Sequence, residues 1–116
     1  MHSHPVHIEQ YRFNKNVADR LSKQEKPPLE WVVVINFYAA LHLVESVLAE
    51  KGYNAKNHED RKTYLSSVAE LKRIRSYYLA LQFQSEQARY ECVRFRPPDV
   101  LQSQRHLENI ERHIHL

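Results

Sequence analysis

The chain predicts an all-α fold: a single domain folded as an antiparallel bundle of four to five helices. Three observations carry this. The 116 residues include one glycine, Gly52, where about 7% is usual, and hairpin turns and phosphate-cradling loops both need glycine; β-rich folds and nucleotide P-loops are disfavoured. The stretch from Leu29 to Glu50 is apolar on nearly every side, which suits a helix buried on several sides. From Leu71 onward, Ile74, Tyr78, Leu81, Ser85, Ala88 and Cys92 follow at alternating three- and four-residue steps, a seam for packing on another helix.

The first helix is expected over roughly Ile8–Lys23, from Ile8, Tyr11, Val17 or Ala18, and Leu21 near helical spacing. Residues 1–7 read as a flexible tail. Pro27 and Pro28 close the connection, and Pro28 suits the first turn of a second helix over Leu29–Glu50. Gly52 is placed for a left-handed C-cap. Asn57 is the expected N-cap of a third helix, with Glu59 and Asp60 in its dipole-favoured first turn. The seam from Leu71 is interrupted by Ser85 and flanked by Gln82, Gln84 and Gln87, so a break is expected near Phe83–Ser85. Pro97 and Pro98 end this region, and Val100, Leu107, Ile110 and Ile114 predict a last helix over Asp99–His115. Tyr38, Leu41, Leu48, Leu71, Ile74, Tyr78 and Leu81 are expected in one core.

Hydrophobic residues at 42% and charged residues at 27% are the balance of a soluble globular chain. The lone Cys92 cannot form an internal disulfide, which points to a reducing cytoplasm. The opening MHSHPVHIEQ carries no secretion signature. The run Trp31–Ala49 approaches membrane-span length, but Asn36, His42, Glu45 and Ser46 interrupt it, so a core helix and no membrane association are expected. The net charge is only +3, yet Lys72, Arg73, Arg75, Arg89, Arg94 and Arg96 crowd the second half. They make either a solvated face or a surface for phosphates.

Several constellations bear on chemistry. His2, His4 and His7 could bind a metal ion, but on a flexible terminus without fixed geometry only adventitiously, and His106, His113 and His115 have no carboxylate or thiolate to complete a tetrahedral set; no metal and no cofactor is expected. Cys92 reads as a core residue. His42 shares a helix face with Tyr38 and Glu45. It is either a satisfied core histidine bonded to Glu45 or Asn36, or a general base whose pKa Glu45 tunes. Lys56, His58 and Arg61 gather at a helix start, where backbone N–H groups favour anions, with capping and solvation as the plainer reading. Arg89 and Tyr90 offer a cation and a stacking ring, or simply packing.

Tyr38-Ala39-Ala40-Leu41-His42, then Leu48, Lys51-Gly52, Lys56 and His58, resemble the central signature of HEPN domains (higher eukaryote and prokaryote nucleotide-binding). Leu71, Ile74, Arg75, Tyr78 and the triplet Ala88-Arg89-Tyr90 resemble that family's third helix and the aromatic-basic element after it. The resemblance spans about Val32–Ile114. It implies a four-helix bundle that commonly dimerises and a role in RNA cleavage, nucleotide binding, or partnership with a nucleotidyltransferase-like protein in defence and toxin–antitoxin systems. The family's ribonucleases place a His four to six residues after an Arg, and none of the eight histidines here has that spacing. Arg105 and His113 have seven residues between them, and Asn36 stands six before His42.

The expected function is therefore a HEPN-like module that binds RNA, a nucleotide or a partner protein without efficient turnover. Its ligand-binding candidates are Tyr38, Lys56, His58, Arg61, Arg75, Arg89 and Tyr90. The alternatives are a divergent metal-independent ribonuclease using His42 or His58, and a structural dimerisation domain. A homodimer is expected in each case.

Overall fold

The computed structural model describes residues 3–114. They form helices α1 (His4–Ser22), α2 (Leu29–Glu50), α3 (His58–Ser67), a single turn α4 (Ala69–Lys72), α5 (Arg75–Tyr90) and α6 (Pro97–His113), with no strand among the described residues. The bundle is elongated, 42 × 25 × 23 Å, because α2 sets its long axis at about 33 Å.

Helix α2 is the axis. It packs against α1 on one side and against α5 and α6 on the other, and twelve of its residues are buried. It has the length and composition of a membrane span, yet 72% of its most apolar window is covered by the other helices. Its end is a Schellman motif. Gly52, at φ +78°, lets its own N–H reach the Ala49 carbonyl at 3.1 Å while that of Tyr53 reaches Leu48 at 2.9 Å. Helix α3 starts as its sequence predicts: Asn57 Oδ1 accepts from the Asp60 N–H at 2.9 Å, and Asp60 Oδ2 accepts from the Lys56 N–H at 2.9 Å.

Two apolar clusters fill the bundle. The larger holds Phe37, Leu43, Leu48, Leu71, Ile74, Tyr78 and Leu81 among others, with Tyr38 and Leu41 half-buried at its edge. The smaller joins Ala18, Val32 and Val33 to Phe95 and Val100, tying the 91–96 connection to the end of α1. Asn36, buried beside it, donates to Ser103 Oγ at 2.8 Å, which satisfies one polar group of the apolar axis.

Four expectations are corrected. Helix α1 begins at His4, within the segment expected to be a flexible tail, because Pro5 presets the first turn and His7 is buried against α2; Met1 and His2 lie outside the described residues. The helix does not break at Phe83–Ser85. Ser85 is fully buried and α5 runs through it, while the break falls at Arg73–Ile74, where Ile74 takes φ −106°, ψ 0°. Cys92 is exposed rather than core; it sits just past the end of α5 at φ +52°, a left-handed turn residue. Pro97 and Pro98 open α6 instead of ending the preceding region.

Candidate functional site

The site lies where α3 and the C-terminal half of α5 meet the middle of α2. Each helix contributes a face at three- and four-residue spacing: Tyr38 and Glu45 from α2, His58 and Arg61 from α3, and Tyr78, Gln82, Glu86 and Arg89 from α5.

At its inner end Arg61 Nε donates to Glu45 Oε1 at 2.6 Å, and both side chains are nearly buried, 14% and 11% exposed. Arg61 Nη1 lies 3.1 Å from His58 Nδ1. A guanidinium cannot accept a hydrogen bond, so Nδ1 accepts and the ring proton sits on Nε2. Burial, and then the neighbouring Arg61 and Arg89, hold the His58 pKa below its ordinary 6.5, while Glu86 pulls the other way. His58 is therefore a neutral base at physiological pH. Beneath it the Tyr78 hydroxyl, whose pKa burial raises, lies near Arg61 and Glu45 without a well-formed hydrogen bond.

At the outer end Arg89 is framed by two tyrosines. Its Nη1 donates to Tyr38 Oη at 3.1 Å and to Tyr90 Oη at 3.2 Å. The guanidinium carbon lies 5.7 Å from the centre of the Tyr38 ring and 4.8 Å from that of Tyr90, both within cation–π range. Tyr90 is 72% exposed. Below Arg89, Gln82 Nε2 donates to Glu86 Oε1 at 3.1 Å. The Oε1 of Gln82 and the Oγ of Ser85 are buried without hydrogen-bond partners among the described residues.

Of the residues singled out from sequence, Tyr38, His58, Arg61, Arg89 and Tyr90 come together. Arg75 does not. It stands exposed at the opposite end of α5, about 21 Å from Arg89 along the axis. Lys56 is exposed beside the α3 start, where its backbone N–H donates to Asp60 Oδ2. His42 turns towards α1, where its Nδ1 is 3.0 Å from His7 Nδ1; among the described residues this contact stands in place of the expected bond to Glu45 or Asn36. Glu86 and Gln82 join the cluster, although the sequence marks Gln82 only as a polar flank of the seam and does not single out Glu86. Their signal was the i, i+3 and i, i+7 spacing back from Arg89. Among the described residues no three His, Cys, Asp or Glu side chains gather to hold a metal ion. His115 lies outside the described residues, and His106 and His113 instead flank Tyr77.

No family model, curated protein or solved structure matches the chain.

Proposed function

We propose that the chain is a HEPN-like module that binds single-stranded RNA or a nucleotide at the α2–α3–α5 cluster, without efficient turnover. One observation carries the reading: the Arg89 guanidinium is held between Tyr38 and Tyr90 on an open rim. A positioned guanidinium meets a phosphate through paired N–H donors, and the exposed Tyr90 ring offers a face on which a base can stack. The charge count limits the ligand. Glu45 already matches Arg61, so the site suits one phosphodiester better than a polyphosphate. Binding to a fluorescent single-stranded RNA should weaken linearly with the logarithm of salt, and Arg89→Ala should weaken it about tenfold or more while the fold is retained. Binding that is insensitive to both would refute the reading.

The contact between neutral His58 and Arg61 favours a second reading, a divergent ribonuclease, because it sets a base beside a cation. Against it, the Arg61 charge is spent on Glu45. RNA cleavage by the wild type, lost in His58→Ala, would put the ribonuclease first.

The same resemblance supports a role in a defence or toxin–antitoxin system, a homodimer and a nucleotidyltransferase-like partner. The exposed apolar Val6 and Phe13 on α1 suit a protein surface. A homodimer should bury more than about 1,000 Å² in total, and a monomer by light scattering at high concentration would end that part.

A further inference from the structure

We propose that Trp31 is a second base-stacking platform beside the Arg89 rim, so that the ligand is a single strand of about three or more nucleotides laid along α2 rather than a lone nucleotide. This rests on the Arg89 rim being an RNA site, and it sets the length of RNA that the site takes.

Trp31 is the largest side chain of the apolar axis, yet it is left outside the core. It is 62% exposed, while Val32, Val33 and Val34 after it are buried. Helical spacing says where it points. Tyr38 follows seven residues later, on the same face, so the two positions lie about 10 Å apart along the axis. Ile35 comes between them on that face. It packs against the smaller apolar cluster, as do Ala88 and Val93, so the last turn of α5 and the 91–96 connection run beside this part of α2. The strip that begins at Trp31 therefore ends at Tyr38, whose hydroxyl accepts from Arg89 Nη1 at 3.1 Å.

The dimensions and charge of the strip fit a strand. A stacked strand rises roughly 3.4 Å per nucleotide and a drawn-out one more, so about two or three steps cover the distance from Tyr38 to Trp31. A phosphate held on Arg89 leaves the neighbouring nucleotides to run towards the start of α2, where an indole face takes any base. Arg94 and Arg96 are exposed in the connection that flanks the strip, against one acid there, Glu91. Glu30, next to Trp31 in the chain, stands about 100° round the helix from it. A docking protein would look for further apolar surface around the tryptophan; a basic flank suits a polyanion with stacking bases.

The chain has no other tryptophan, so indole fluorescence reports on this position alone. The test is a titration of the full chain with uridine monophosphate and with uridine oligonucleotides up to the hexanucleotide, binding being followed independently by calorimetry. Saturable quenching is expected from the trinucleotide upward, weaker at higher salt, and none with the monophosphate. Trp31→Ala should weaken the hexanucleotide about fivefold or more, the usual loss for one stacked base, and Trp31→Phe should recover part of that. Both should melt close to the wild-type temperature, because the ring stands mostly in water. Should Trp31→Ala not fold, the wild-type quenching and Trp31→Phe carry the test. Arg89→Ala should remove the quenching by removing binding. A hexanucleotide that binds through Arg89 but leaves the emission unchanged, or binds Trp31→Ala as well as wild type, would overturn the Trp31 platform and leave the Arg89 site standing. Absence of any RNA binding would remove both. Equal quenching by the monophosphate, or by a duplex of the same length, would also overturn the platform. So would emission that shifts with protein concentration alone, which would seat a second copy of the chain on the ring.

Discussion

Arg61 and Arg89 sit in one cluster and look alike in the sequence, yet they do opposite work. Arg61 is nearly buried and spends its charge on Glu45, 2.6 Å away. Arg89 lies at the rim, has two tyrosine hydroxyls and two rings for company, and has no carboxylate within ion-pair distance among the described residues. The difference is one of solvation. Burying a cation without its anion is prohibitive, whereas a half-exposed cation keeps enough water to remain unpaired. The inner end of the cluster therefore holds α3 against α2, and the outer end keeps a cation at the surface beside two tyrosines.

The largest effect expected from this contrast is that of Arg61→Ala. It leaves Glu45 nearly buried and unpaired, at a cost of about 2–4 kcal/mol, the lower part of the usual range because both side chains keep some water. Thermal melting should drop by roughly 10 °C or more. An unchanged melting temperature would show that the pair holds nothing together.

Removing both charges, as Glu45→Leu with Arg61→Met, sharpens the same point. The double variant should come back to within about 1 kcal/mol of wild type, because neither charge is then stranded. If instead the two losses simply add in chemical denaturation, the pair is not the unit proposed.

Arg89→Ala should cost no more than about 0.5–1 kcal/mol in the same assay, since its partners are tyrosine hydroxyls that water can replace. A loss as large as that of Arg61→Ala would make Arg89 structural and remove the support for a binding site there.

The smallest effect is on pH dependence. The folded pKa of His58 lies below 6.5, so the unfolded chain takes up the proton first. Stability is then full above pH 6.5 and falls as the pH drops from there through the depressed value. His106, lowered by burial, acts in the same direction. His58→Gln should flatten part of the decline in melting temperature between pH 7 and pH 5. An unaltered slope would mean that His58 carries none of it.

The helices were legible where a single local interaction decides them. Leu29–Glu50 matched to the residue, because an apolar run bounded by Pro28 and Gly52 leaves no other boundary. Asn57 capped α3 as its side chain dictates. The errors came where burial overrode local pattern. Ser85 and the glutamines around it looked like a weak seam, but a small buried serine allows α5 to continue unbroken beside α2 and α6. Cys92 continued the seam in register, yet the helix ends at Tyr90 and Cys92 turns outward.

The site divides along the same line. By itself the sequence determined the all-helical fold, the buried axis with its polar interruptions, and which residue types lie near the start of α3 and the end of α5. Pairing was settled only in three dimensions. Glu45 could have met His42 by helical spacing, but α3 delivers Arg61 to it instead, and α1 delivers His7 to His42. Arg75 and Arg89 share a helix, and only the placement of α3 against one end of it puts Arg89 beside His58 and leaves Arg75 outside. Helical periodicity is a property of neighbours three or four residues apart, and it fixes faces. Which charge is neutralised and which is left open depends on the residue that another helix brings to that face, and no local pattern records it.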